Sequence, residues 1–351
     1  MISNFSFPKY IFLAFIISIF KIESSVSQPI EIIVSIPSKP NSINTYAVKK
    51  FSEELEKRAP GQFKVIILVA GGDAVTQGKE IPAILEGSIH MGLASAADFF
   101  EIFKNYIGKA YFENDKERET YFAALEIQMM PFIFRDHVHM QHILDTLLGP
   151  IIISITRKLG IEILGWSYHG TRVLEATYDR PITKPGDIQL GELRVPEGEV
   201  WRNVATCLAE SEDFKAVPHG EVKNFIKKRS IKVLEFPLAS FKVLDVDSYF
   251  KQIVLTNHVI HYLYWVFSEE KMSKLSSEQQ SAIKDAIKEA IKYNDELRTK
   301  EEQNLLEFYR TIFKVQSPDI GAFKIQTEKK FRDKLSSPVF EDLYRKVIAQ
   351  N

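Results

Sequence analysis

One cysteine, Cys207, stands in a chain of 351 residues. A lone thiol excludes an internal disulfide and any zinc site built on cysteine pairs. Its neighbours Ala205, Thr206 and Leu208 have the look of a packed helix, so a buried structural thiol is expected rather than a nucleophile. An excess of charge of one sign is also missing. The 45 Lys and Arg against 46 Asp and Glu leave a formal net charge of −1, which offers no electrostatic footprint for nucleic acid. The chain carries no Gly-x-Ser-x-Gly elbow, no phosphate loop and no distinctively spaced pair of catalytic carboxylates. His258 and His261 are three residues apart, but no carboxylate-rich spacing accompanies them as metal ligands. His169 is a candidate catalytic base for an exported hydrolase, but the sequence offers no nucleophile to pair with it. No metal and no cofactor is expected. Beyond the N-terminus, no stretch reads as apolar enough to cross a bilayer.

What is present begins with a leader. Lys9 precedes the short apolar run Tyr10 to Phe20, and Ser25-Val26-Ser27 supplies small residues where cleavage would fall. This is a secretory pattern, with an uncleaved anchor as the alternative. The mature protein is expected to be exported, to begin near Gln28, and to need no membrane insertion after cleavage.

Past the leader, strand and helix patterns alternate. Strands are expected at 30–34, 63–69 and 91–94, with helices at 43–58 and 79–86 between them. That order predicts an α/β lobe with a largely parallel sheet. Glu101 to Arg118 is charged and aromatic without a clear period and reads as a surface insertion. A helix over 137–159, strands at 161–166, 173–174, 193–195, 233–234, 253–256 and 262–267, and helices over 199–208 and, weakly, 217–228 follow. Ser276 with Gln279 forms a capping-box signature. A stripe of Ala282, Ile283, Ala286, Ile287, Ala290 and Ile291 continues through Leu297, Leu305 and Phe308. It predicts one helix of about 35 residues and about 50 Å, longer than one lobe is wide, with a solvated Lys/Glu outer face.

The stretch Gly191-Glu192-Leu193-Arg194-Val195-Pro196 gives the candidate site. Leu193 and Val195 suit a short strand, which turns Arg194 to the opposite face. A guanidinium there points to solvent or into a cleft, where its rigid fork matches a carboxylate.

Several blocks, in order, resemble the extracytoplasmic solute-binding proteins of TRAP (tripartite ATP-independent periplasmic) transporters, in their dicarboxylate-binding branch. They are Ala70-Gly71-Gly72-Asp73 through Gly87, Met130-Pro131-Phe132-Ile133-Phe134-Arg135-Asp136, Gly165-Trp166 with Gly170-Thr171-Arg172 and Arg180-Pro181-Ile182, Leu193-Arg194-Val195-Pro196, and Tyr249-Phe250 with Leu255-Thr256-Asn257-His258. Together they span about residues 30 to 335. The resemblance implies a two-lobed α/β periplasmic binding fold with a hinge and a long helix across both lobes. Lobe I would comprise 28–168 plus 262–300, lobe II 169–261 plus 301–351, and the bridging helix 277–313. It implies a periplasmic, non-enzymatic protein that takes a small organic acid between its lobes and docks on a membrane permease. Arg194 would hold the ligand carboxylate and Arg172 would assist.

One block departs from the family pattern. In Arg229-Ser230-Ile231-Lys232-Val233-Leu234-Glu235-Phe236-Pro237, Phe236 stands where an asparagine would help to hold the ligand, and the glycines are gone. His219 lies where an aromatic side chain often lines the pocket. Either the ligand is more apolar, an aromatic or branched-chain acid, or the site has drifted to an exported scaffold or sensor. Ser95 and Asp73 are candidate first-lobe contacts by position, with surface roles as the alternative.

Overall fold

The computed structural model of the protein describes residues 28–350. The leader expected over residues 1–27 lies outside the described residues. The first lobe opens with β1 (Ile30–Ile36), α1 (Ile43–Arg58), β2 (Phe63–Val69), α2 (Glu80–Leu85) and β3 (Met91–Ala94). β1 pairs in parallel with both β2 and β3, as right-handed strand–helix–strand units require.

The segment read as an insertion is instead helical core. α3 (Ala96–Asn105) and α4 (Asp115–Met129) bracket a short turn. Phe99, Phe100, Phe103 and Tyr121 are buried, with the Phe103 and Tyr121 rings 4.6 Å apart. The charges of Glu101 and Lys104 masked a 99/102/103 helical face. Ser95 and Asp98 form the capping box that starts it.

α5 (His137–Ile143) and α6 (Gly149–Lys158) are joined by a π-helical turn at Leu144–Leu148. The joined stretch His137–Lys158 is long and apolar enough to pass as a membrane span by length and composition, contrary to expectation. Here Met140, Ile143, Leu144, Leu148, Ile152 and Ile155 belong to the hydrophobic core.

Two long strands carry the chain between lobes. β4 (Ile161–Ala176) absorbs two expected strands, and β8 (Gln252–Ser268) absorbs two more. They pair antiparallel along their length, with register shifts at Ile163/Trp166, Tyr168/Gly170 and Arg172/Leu174. Between them in sequence lie β5 (Leu193–Val195), α7 (Glu199–Leu208), β6 (Lys215–Ala216), α8 (Val222–Lys227), β7 (Val233–Pro237) and α9 (Leu238–Leu244). α10 (Glu269–Ser273), α11 (Ser277–Ile312), β9 (Lys314–Gln316), α12 (Ile320–Leu335) and α13 (Pro338–Ile348) complete the chain. Among the described residues one sheet runs in the order β2-β1-β3-β8-β4-β7-β5-β6, with β9 on β8. The lobes therefore share one continuous sheet, with β4 and β8 crossing from one to the other.

α11 spans 36 residues, about 54 Å at 1.5 Å per residue. Its inward stripe changes character along its length. Ile283, Ala286, Ile287 and Ala290 pack into the first lobe, Leu305 and Tyr309 into the second. Between them the buried positions are Asn294 and Arg298, and Phe308 is 52% exposed, which corrects the expected all-apolar stripe. The polar middle matches the backbone it covers. Asn294 donates to the Tyr168 carbonyl (2.8 Å), Asp295 accepts from the Tyr168 amide (2.8 Å), and Glu302 accepts from the Thr171 amide (2.8 Å). The amides and carbonyls freed by the bulged register thus find partners on the helix. Gly165 and Gly170 make that approach possible. They sit at φ +152° and +130°, and a Cβ would lie 2.6 Å from Ile291 Cδ1 and 2.9 Å from Glu302 Oε1 respectively.

The lobes also touch at the start of α7. Glu101 of α3 accepts the Glu199 amide, and Lys104 pairs with the Glu199 carboxylate. Gly198 (φ +113°) leaves room for it, since a Cβ would sit 2.9 Å from Glu101 Oε1.

Ile287→Ala removes a fully buried side chain from the bridging helix. It is expected to lower stability by about 2–5 kcal/mol, read as a shifted urea midpoint with unchanged slope.

Candidate functional site

Arg194 is the centre of β5, between β6 and β7. Leu193 and Val195 face the large apolar core, so strand alternation turns Arg194 the other way. The side chain does not reach solvent and is 0% exposed. Nε and Nη2 both donate to the Val217 carbonyl, Nε at 3.0 Å. The guanidinium carbon lies 4.9 Å from the centroid of Phe236. Nη1 is buried and has no hydrogen-bond partner. The fork is thus fixed by a carbonyl and a ring face, with one nitrogen left open. Burial pulls this guanidinium down to about 9, against the attraction of Glu235 and with the repulsion of Arg172. An anion beside Nη1 would relieve that cost.

Arg172, on β4, is matched differently. Its Nη2 donates to Glu235 Oε2 at 2.7 Å and its Nε pairs with Oε1. His258 Nε2 lies 3.0 Å from Glu235 Oε1, and His258 Nδ1 lies 2.8 Å from Thr256 Oγ1. The imidazole therefore donates from Nε2 and accepts from the threonine hydroxyl. Burial alone would raise the Glu235 carboxyl, but Arg172 and then His258 outweigh it and hold it well below the usual carboxylate range. Arg172 is 3% exposed and Glu235 0%. Above the guanidinium lies the Trp201 ring, 4.2 Å away, with Phe236 at 5.6 Å.

Phe236 is therefore shared by both arginines. It forfeits the hydrogen bonds of an amide and supplies a π face to two cations, a contact worth about 2 kcal/mol or more when desolvated. His219 is exposed at the rim, its ring 5.3 Å from Phe236. Sequence reasoning thus brought Arg194, Arg172, Phe236 and His219 to one place.

The first-lobe candidates sit apart. Ser95 caps α3, accepting the Asp98 amide and donating to Asp98 Oδ2 at 2.7 Å. Asp73 is exposed in the turn after β2. Among the described residues neither shares a hydrogen bond or ion pair with either arginine. Glu235, His258, Thr256 and Trp201 were missed as site residues. Glu235 survives in the otherwise altered block and His258 closes another, and those were the available signals. Cys207 is 0% exposed, and burial pushes its thiol up to about 12, as expected of a structural residue.

Two cavities of about 410 and 230 Å³ lie elsewhere, by α3, α4 and Lys334. Their Lys104 and Lys334 are already paired with Glu199 and Glu126. Neither cavity is lined by Arg172 or Arg194.

With this geometry in view, the comparisons become informative. Residues 114–346 match the profile described as bacterial extracellular solute-binding protein, family 7. The chain belongs to that family. It is 22% identical over 340 residues to the C4-dicarboxylate-binding periplasmic protein of Shewanella loihica, covering 93% of this chain and 92% of that one. It is 23% identical over 265 residues to the 2,3-diketo-L-gulonate-binding periplasmic protein of Escherichia coli, covering 74% and 73%. Among solved structures, a TRAP periplasmic solute-binding protein of Roseobacter denitrificans with bound 3-deoxy-D-manno-oct-2-ulosonic acid aligns with a TM-score of 0.77 at 20% identity, covering 92% of this chain and all of that one. A TRAP solute-binding protein of Sulfurospirillum deleyianum with bound succinate aligns at 0.76 and 20%, covering 93% and all of that chain. The two-lobed α/β fold is the fold of these proteins.

Glu235→Ala strands a buried Arg172. It is expected to cost about 3–5 kcal/mol, measured by chemical denaturation. A pH effect follows from His261, which burial, with Arg172 adding, pushes down to about 3. An unfolded imidazole takes its proton near about 6.5. Between those values the unfolded chain binds more protons, so stability falls as pH drops from about 6.5 toward 3. Melting temperatures across this range are expected to fall less steeply in His261→Phe.

Proposed function

We propose that this protein is the periplasmic solute-binding subunit of a TRAP transporter. It captures a small organic acid between its lobes and delivers it to a membrane permease. The observation that carries this reading is the open Nη1 of Arg194, a buried cation with two nitrogens fixed and one unpartnered. A carboxylate brought there from water loses hydration, and charged hydrogen bonds of roughly 1.5–3 kcal/mol each offset that loss. Arg172 has its own carboxylate in Glu235 and so acts through Phe236 and the local potential. Phe236 leaves both guanidinium groups in place, which supports a working binding site over a scaffold that has lost it. The Thr256–His258 contact beside the arginines is buried and holds Glu235, and we read the protein as working by binding.

The lobe boundaries fit the same reading. A change of lobe at 168/169 and again at 261/262 falls on the bulged, glycine-bearing part of the β4–β8 pair. Hinge motion there turns capture of a ligand into a change of shape that a permease can sense, provided that the ligand prefers the closed state. Export through the leader places the protein in the periplasm, where the family works.

Arg194→Ala is expected to weaken binding of the acid ligand by about 3–5 kcal/mol, measured by titration calorimetry alongside a melting curve. Unchanged affinity in a folded variant would sink the assignment.

A further inference from the structure

A second concavity lies away from the arginines, and its walls follow from helix periodicity. On α4, Arg118, Phe122 and Glu126 recur every four residues and share one face. On α3, Phe100, Phe103 and Lys104 stand at three- and four-residue spacing and do the same. Between these faces lies the cavity of about 410 Å³. Arg118, Phe122, Glu126 and Lys334 also line the cavity of about 230 Å³, which reaches Phe340 of α13, so the two adjoin. The wall of the larger one is aromatic. The rings of Phe100 and Phe122 meet edge to face at 5.0 Å, and Phe112 lies 5.8 Å from Phe103 and 6.2 Å from Phe122. Its charges are Lys104, Arg118 and Lys334 against Glu126 and Glu199. Both lysines are paired, with Glu199 and Glu126 respectively. Arg118 is the cation in excess. Its Nη2 is 3.4 Å from Asp115, a carboxylate 75% exposed, and its Nε is buried without a hydrogen-bond partner.

We propose that this groove is a second small-molecule site, independent of the arginine cleft, and that it takes an aromatic carboxylic acid. Its volume falls in the range of small-molecule pockets. An apolar cavity of about 150 Å³ already holds a benzene ring, so the groove has room for a fused bicyclic body. The phenyl rings favour a planar aromatic occupant, because edge-to-face and offset contacts add to what area burial alone supplies. The head group follows from charge. A carboxylate can accept from the open Nε of Arg118 and from the neighbouring nitrogen of the same fork. An uncharged head leaves the excess charge unanswered, and a cationic head meets three cations whose two carboxylates are already engaged. Hydroxyl groups along the body would lose their hydration against phenyl walls with no partner to replace it. Gly108 lies on the same wall, exposed, with nothing within 4 Å of a Cβ added there and no left-handed φ. A larger side chain fits at that position and occupies the space of the ligand.

The test is calorimetry on the full mature chain with naphthoate, its uncharged amide naphthamide, the cation naphthylmethylammonium and the alkyl acid octanoate. Naphthoate is expected to bind at micromolar concentration, about tenfold or more tighter than each of the others. Arg118→Gln is expected to remove about tenfold or more of the naphthoate affinity and to leave naphthamide unchanged. Gly108→Phe is expected to abolish naphthoate binding, and Arg194→Ala to leave it unchanged. Melting curves identify variants that fail to fold, and Gly108→Phe, at an exposed position, supplies the readout if Arg118→Gln is one of them. Naphthoate binding that Arg194→Ala abolishes and Gly108→Phe spares would put the acid in the arginine cleft and overturn the groove as a site. Octanoate or naphthamide binding as tightly as naphthoate would overturn the aromatic-acid class. Absence of naphthoate binding at millimolar concentration would overturn the site. None of these results refutes the carboxylate reading of Arg194, so the two fail separately.

Discussion

Two buried guanidinium groups against one phenyl ring, with a buried carboxylate paired to only one of them, set the terms for the whole cleft. Like charges in a weakly screening interior repel, and each has been removed from water. Glu235 answers one of them with two contacts and is held in place by His258, itself held by Thr256. Arg194 receives only a carbonyl and a ring face. The local balance is one positive charge in excess, at a residue whose strand neighbours Leu193 and Val195 are locked into the core. Such a centre holds its geometry without an anion and is improved by one, which is the property a capture protein needs.

Much of this was legible in the sequence because the physics is local. Apolar–charged–apolar between Gly191 and Pro196 specifies a short strand with its arginine turned away from the core. The Ser276–Gln279 pair specifies where the long helix begins, and the capping box forms there. The helical face of 96–103 was equally local, but Glu101, Lys104 and the aromatic density around it obscured the period. What the sequence could not reveal is non-local. Arg172 and Glu235 are 63 residues apart, and only the antiparallel pairing of β4 with β7 brings them together. Likewise β4 and β8 each read as two strands, because residues at the crossing such as Gly165, Gly170 and Asn257 interrupt the β pattern. Their backbone needs are met from elsewhere.

That outside help comes from α11. Asn294, Arg298 and Glu302 follow the same four-residue spacing as the apolar positions on either side of them, so nothing in the period announces the change of role. A buried amide and a buried guanidinium in a helix interior are unfavourable when unpaired. Here Asn294, with Asp295 and Glu302, meets bulged strands that have amides and carbonyls to spare, while Arg298 donates to Glu301 and to Asn44 at the start of α1. The helix is thus both a brace for the two cores and a set of partners for the place where they join.

The contact of Glu101 with the start of α7 bears on how firmly the lobes hold together. A helix start presents amides without internal acceptors, and here one is served by a side chain from the opposite lobe. Separation of α3 from α7 would hand that amide to water, an equally competent acceptor. The difference is of the order of a helix-dipole contact, about 0.3–1 kcal/mol. Gly198 keeps the meeting point free of bulk without adding adhesion. The buried apolar residues of α3 and α7 belong to one hydrophobic cluster, so parting the two helices would expose hydrocarbon as well, and that contact rather than the amide governs how tightly the seam holds.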